Sequence, residues 1–139
     1  LNKEASRLAA EFNLRSGTDV TGFSPLGHGM EMADTSGVKI IIKFSQIPFI
    51  SCARKYAGMW TFPGGTSDNR VYFGPRVAFD TGINELEQML LFDAQTSGGL
   101  LLAIPQKKVD RFMARASEIK QPAWVIGEVI SGSGVSVEK

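Results

Sequence analysis

The 139-residue sequence has one cysteine and one histidine, and each scarcity excludes something. Cys52 alone cannot close an internal disulfide, which suits a reducing compartment, so a cytoplasmic location is expected. With His28 as the only histidine, no Cys/His set falls at zinc-ligand spacing. Excess charge of either sign is also missing. Fifteen Lys and Arg against fourteen Asp and Glu leave a net charge of +1. No basic run exceeds a pair, so nothing marks a nucleic-acid partner. No apolar run approaches the ~20 residues of a membrane span. The opening LNKEASRLAA has no charged-then-apolar leader pattern, and a start at Leu1 rather than Met is that expected of a piece of a longer chain. Walker-type P-loop, GxGxxG, GxSxG and HExxH signatures are absent, so no complete catalytic set is visible.

What is present is an ordinary core-forming composition, 43% hydrophobic and 21% charged, in a length that fits one domain over 1–139. Leu1, Ala5, Leu8, Ala9 and Phe12 share a helical face. Residues 14–23 are too rich in Gly, Ser and Thr to extend that helix. Ser24 is an expected N-cap with Pro25 at the first helical position, and Gly37 an expected helix end. VKIIIKF (38–44) alternates as a strand, and a helix is expected over about 48–58. The Pro-Gly-Gly and Gly-Pro turns within 59–75 predict a loop holding at most a short helix. Asn84 and Glu87 form a capping-box pattern ahead of a helix to Leu91. LLLAIP (100–105), apolar on both faces, predicts a central strand. A helix over 107–119 and a terminal strand pair, 123–130 and 135–138, complete the chain. The expected fold class is α+β: a three-layer α/β/α domain with a mixed sheet of about four strands flanked by helices.

Three polar loops carry the candidate chemistry. In TDVTGFS (18–24), the start of a helix near Pro25 directs free amides and a partial positive charge at the preceding loop. Gly17 and Gly22 allow close backbone approach, and Thr18, Thr21 and Ser24 add hydroxyls, a set that favours phosphate. Asp19 would repel a phosphate unless a divalent cation lay between them, and Mg²⁺ binds through one or two carboxylates plus substrate phosphates. On local pattern alone, Asp19 and Ser24 read as turn caps. His28 is either a ligand contact or a partly buried helix residue with one hydrogen bond. PGGTSDNR (63–70) is a surface turn or a substrate-facing loop with Asn69 or Arg70 as a contact. DAQTSGG (93–99) offers Thr96 and Ser97 to an anion, or only glycines for close packing. Cys52 lacks a neighbouring base and reads as a packing residue. Trp60, Phe62, Tyr72 and Phe73 read as core and loop anchors.

Taken in order and spacing, TDVTGF–LGH–MA at 18–33, PGGT at 63–66, DAQTSGGLL at 93–101 and the final AWVIGEV resemble the C-terminal domain of the selenophosphate synthetases (selenide, water dikinases), relatives of aminoimidazole ribonucleotide synthetase. The resemblance runs from about Thr18 to Val129. It implies ATP-dependent phosphorylation of selenide, with selenophosphate, AMP and orthophosphate as products and Mg²⁺ as cofactor, in a homodimeric full-length protein. It implies that Asp19 helps bind the metal at the ATP phosphates, with Thr18, Thr21, Gly22, Thr96 and Ser97 near those phosphates. The family's reactive Cys or selenocysteine, its Lys and most of its carboxylates belong to an N-terminal domain outside this sequence. No catalytic residue is therefore expected here, and the chain alone is expected to be inactive. Two positions depart from the pattern: Ser24-Pro25 stands where the family continues with Gly and an apolar residue, and Asp68 stands where a basic residue is expected. Thiamine monophosphate kinase, a hydrogenase-maturation protein and a non-catalytic scaffolding domain are the alternatives.

Overall fold

The computed structural model describes residues 2–139; Leu1, assigned above to the first helical face, lies outside them. Strand β2 organises the main sheet, and its bounds (numbering the strands in chain order) are Val38–Lys43. Alternation sends Ile40 and Ile42 into the core and leaves Lys39 and Lys43 on the other face. On one side β2 pairs antiparallel with β5 (Gly127–Ser131). On the other it pairs parallel with β6 (Gly134–Glu138), which pairs parallel in turn with β3 (Val77–Phe79). The order β3-β6-β2-β5 is the expected mixed four-stranded sheet. Ile40, Val135 and Val77 lie in register across it and are buried together.

Helix α2 (Ser24–Ser36) packs on the β2 and β6 strands and buries Leu26, Met30 and Ala33. Gly37 ends it as expected, at φ 61°, with its amide turned back to the last helical carbonyls. Helix α5 (Glu85–Phe92) starts with the expected capping box. The Glu87 amide donates to Asn84 Oδ1 at 3.0 Å, and the Asn84 amide donates to Glu87 Oε2 at 3.0 Å. Its Met89, Leu90, Leu91 and Phe92 are buried. Helices α1 (Lys3–Glu11) and α6 (Gln106–Glu118) form a second, smaller core through Leu8, Phe12, Phe112 and Ala116. The Phe12 and Phe112 rings meet edge to face at 5.1 Å. The α+β class, with helices flanking a mixed sheet, is what the structure shows.

Several local expectations are corrected. Residues 14–23 contain a short strand, β1 (Gly17–Asp19), paired antiparallel with β4 (Leu100–Leu102). LLLAIP is therefore half of a two-stranded ribbon rather than a central strand. It is apolar on both faces because Leu101 lies beside Gly29 of α2 while Leu102 packs on the α1–α6 cluster. The helix expected over about 48–58 is only α3 (Ala53–Gly58), and residues 48–52 lead into it as loop and turn. The stretch expected to be a loop contains α4 (Gly64–Phe73), a ten-residue helix hidden by two poor helix formers at its start. The terminal strands do not pair with each other: they flank β2, and the chain crosses its end through Ser131–Gly134, with Gly132 and Gly134 at φ 139° and 80°. Cys52 is exposed rather than packed, and Trp60 and Tyr72 are exposed while Phe73 is core.

One buried carboxylate ties the C-terminal residue to this frame. Lys139 Nζ lies 2.6 and 2.7 Å from the two Glu87 oxygens. That ammonium holds the Glu87 carboxyl below its ordinary value, against the opposing effect of burial and with help from the Asn84 amide. A carboxyl depressed in the folded state contributes stability above its unfolded value and loses it as pH falls through the folded value. Lys139→Met is expected to destabilise the chain at pH 7 by about 1 kcal/mol. The difference from the parent shrinks on acidification below the carboxylate range, which thermal melts between pH 7 and pH 3 will show.

Candidate functional site

Asp19 ends β1, and residues 20–23 then lead into α2. Loop 93–99 is fastened onto this turn by backbone bonds alone. The Val20 amide donates to Gly99 O at 3.0 Å, the Gly98 amide to Val20 O at 3.2 Å, and the Gln95 amide to Thr21 O at 3.0 Å. A Cβ on Gly98 would sit 2.6 Å from Val20 O, so glycine is obligatory there. The third motif arrives from α4. Asn69 Nδ2 donates to Gly22 O at 2.8 Å and to Phe92 O at 3.0 Å. Thr66 Oγ1 donates to Asp93 Oδ1 at 2.7 Å. Both α4 side chains are buried, so their bonds run in a dry environment where an unmet partner is costly. The three motifs that lie far apart in sequence are therefore one junction.

The expected site residues take distinct positions around it. Asp19 is exposed, and its carboxylate has no hydrogen-bond or ion-pair partner among the described residues. Thr18, its strand neighbour, points to the opposite face, and its hydroxyl donates to the Asp19 carbonyl at 3.1 Å. Gly22 is open, with nothing within 4 Å of an added Cβ. Thr96 and Ser97 are exposed on the fastened loop. Thr21 and His28 are joined, Oγ1 to Nε2, at 3.0 Å, and His28 Nδ1 lies 3.1 Å from Glu31 Oε2. His28 thus has two side-chain partners where one was expected. The amides of Thr21, Gly22 and Phe23 meet no acceptor among the described residues. Asp68 is exposed on α4, and Arg70 turns away to Glu85 at 2.7 Å.

Ser24 differs from its expected role. It is fully buried with φ 67°, in the left-handed region that favours glycine. Its Oγ is 3.5 Å from the Gly27 amide, the outer limit of a cap bond. The turn is held instead by the Ser24 amide on Thr21 O at 3.0 Å and the Gly27 amide on Phe23 O at 3.1 Å.

A single free carboxylate fits one mode of Mg²⁺ binding, that in which one or two carboxylates join phosphate oxygens and water. No group of three or more His, Cys, Asp or Glu residues able to hold a metal occurs among the described residues. The chain could thus supply one protein ligand and not a closed metal cage. Thr66 and Asp93 are not among the expected ligand contacts, and Asn69, expected on a surface turn or as a ligand contact, is buried and ties backbone instead. Their signal is the Thr-x-x-Asn spacing, which places both side chains on one face only once 64–73 is known to be a helix.

Two substitutions test the junction. Asn69→Ala leaves two carbonyls without their donor and is expected to cost about 1–3 kcal/mol. Hydrogen exchange at the Gln95 and Gly98 amides should accelerate with it, beyond any change at the distant α1–α6 pair. Ser24→Gly removes left-handed strain at the cost of backbone entropy and is expected to raise stability by about 0.5 kcal/mol in urea unfolding.

Comparison with known proteins places this arrangement. The family described as AIR synthase related protein, C-terminal domain, matches residues 1–139. A selenide, water dikinase of Caldanaerobacter subterraneus is 40% identical over 130 residues, covering 93% of this chain and 38% of that protein. One of Nitratidesulfovibrio vulgaris is 38% identical over 130 residues, 94% of this chain and 37% of the relative. One of Pseudomonas aeruginosa is 35% identical over 138 residues, 99% and 39%. The chain spans well under half the length of these curated relatives. The crystal structure of a thiamine-monophosphate kinase from Stenotrophomonas maltophilia superposes with TM-score 0.64 over 94% of this chain and 33% of that one, at 15% identity, which shows a shared fold. Matched along its whole length, the chain belongs to the AIR synthase related protein, C-terminal domain family.

Proposed function

We propose that residues 1–139 are the C-terminal domain of a selenide, water dikinase, which uses ATP, selenide and water to make selenophosphate, AMP and orthophosphate. The observation that carries this reading is the junction of the three motifs, in a chain 35–40% identical to selenide, water dikinases. In this reading the ATP-binding N-terminal domain, with its nucleophile, lies in the part of the relatives that this chain does not span. The 139-residue chain is inactive alone, and the full-length protein is a cytoplasmic homodimer. No helix among the described residues is long and apolar enough to cross a membrane.

The chain's own residues would act on the phosphates of ATP. The uncommitted amides of Thr21, Gly22 and Phe23, at the positive end of α2, donate toward phosphate oxygens. Gly22 leaves room for that approach, and Thr96 and Ser97 face the same ligand from the fastened loop. Thr18 steadies the strand end that presents Asp19. Asp19, without a side-chain partner among the described residues, directs its negative charge at the cation side of the nucleotide. Mg²⁺, when bound, supplies the charge neutralisation on which phosphoryl transfer depends. The gain is positioning: the junction keeps carboxylate, amides and hydroxyls in one geometry before the nucleotide arrives.

A second reading is another phosphotransferase of this fold, of the thiamine monophosphate kinase or hydrogenase-maturation type. The thiamine-monophosphate kinase likeness extends to the fold alone, at 15% identity. A scaffolding domain that kept the fold without chemistry is a third, for which the Ser24-Pro25 departure speaks. In the full-length protein, Asp19→Asn is expected to lower selenide-dependent ATP turnover roughly 100-fold and to raise the Mg²⁺ needed for half-maximal rate. Unchanged turnover in that variant would favour the scaffolding reading. Turnover with thiamine monophosphate in place of selenide would favour the kinase.

A further inference from the structure

Thr21 has its backbone held independently of its side chain. Its carbonyl accepts from the Ser24 and Gln95 amides, both at 3.0 Å. The contact between its hydroxyl and His28 is therefore not needed to shape the turn. His28 itself is buried, 8% exposed, with the Phe23 ring beside it at 5.5 Å, whereas the Glu31 side chain is 55% exposed. Glu31 Oε2 lies 3.1 Å from His28 Nδ1, and His28 Nε2 lies 3.0 Å from Thr21 Oγ1.

The order of donors along this chain follows from which groups have hydrogens. A carboxylate only accepts, so the nitrogen facing Glu31, Nδ1, carries the hydrogen. A neutral imidazole has one N–H, and Nε2 is then a bare acceptor. In that neutral state the hydroxyl of Thr21 donates to it. Its only hydrogen is thereby committed inward, and the lone pairs of Oγ1 face away from the ring. An oxygen in that state repels a phosphate oxygen and attracts a cation or the hydrogens of cation-bound water.

We propose that Glu31, acting through His28, is a positioning residue that fixes the Thr21 hydroxyl as an acceptor, placing Thr21 with Asp19 on the cation side of the site while the loop amides serve the phosphates. This rests on the dikinase reading for its ligand and changes the role of Thr21 within it from phosphate donor to cation-side oxygen. Glu31→Leu removes the acceptor and lets the imidazole take the other tautomer. Glu31→Gln keeps a carbonyl oxygen able to accept from Nδ1–H. Because the Glu31 side chain lies mostly in solvent, both variants keep the fold.

The test uses the ¹⁵N-labelled full-length protein at pH 8. Long-range ¹H–¹⁵N spectra report the ring tautomer, and the His28 signals are those lost in His28→Asn. The Nδ1–H tautomer is expected in the parent and in Glu31→Gln, and its loss in Glu31→Leu. In parallel, half-saturating Mg²⁺ for ATP turnover is expected to rise roughly tenfold in Glu31→Leu and in Thr21→Val, with the Glu31→Leu thermal midpoint unchanged and with Glu31→Gln near the parent. An Nε2–H tautomer in the parent overturns the proposal, as does a Glu31→Leu protein with unaltered tautomer or unaltered Mg²⁺ requirement. Absence of any selenide-dependent turnover in the parent defeats the dikinase reading alone, since the tautomer still decides the relay.

Discussion

The side-chain amide of Asn69 is the bond on which the site depends. One NH₂ group reaches Gly22 O and Phe92 O, and so ties the turn before α2 to the end of α5 through a residue of α4. Gly22 lies in irregular backbone and Phe92 ends α5 with no following amide turned back to it, and a buried carbonyl without a donor is expensive. A short apolar residue at 69 would leave both unmet. Thr66, one turn earlier, does the same for Asp93, so a single helix face closes two of the three gaps between motifs.

The site also draws on the core beneath it. Helix α2 begins at the candidate site and buries Leu26, Met30 and Ala33 against the four-stranded sheet. Its first turn approaches α4 so closely that a Cβ on Gly27 would lie 2.7 Å from the Phe73 ring. The loop ahead of the helix cannot shift without disturbing that packing, because close-packed interiors transmit small displacements. Ser24, buried in a left-handed conformation, is strain retained at the point where chain direction matters most. The exposed groups beyond it, Asp19, Gly22, Thr96 and Ser97, sit on a frame that is rigid only because of what lies underneath.

Legibility in the sequence followed the length of the signal. Strand β2, helix α2 with its glycine stop, the α5 capping box and helix α6 were readable because each is specified by neighbours within one or two turns. The short pieces were not. Strands β1 and β3 span three residues each, too few for a period to register, and they exist because partners supply their hydrogen bonds. Helix α4 begins with two glycines and is sustained by burial of Thr66, Asn69 and Phe73, a tertiary effect that overrides propensity. LLLAIP misled because an apolar strand covered on both faces looks the same whether strands or helices and loops provide the cover.

The sequence by itself determined which residue types are available: an aspartate among hydroxyls and glycines ahead of a helix, no Cys/His set at zinc spacing and no cysteine with a neighbouring base. It also determined the α+β class and the family resemblance, since local periodicity and ordered motifs survive without coordinates. Only the tertiary structure decided that the three motifs meet, that Asn69 and Thr66 are ties rather than ligand contacts, and that His28 is held between Thr21 and Glu31. The junction depends on side-chain bonds between residues 23 to 47 positions apart and on backbone bonds from residues 20–21 to 95–99, and no local pattern encodes the partner of a buried amide.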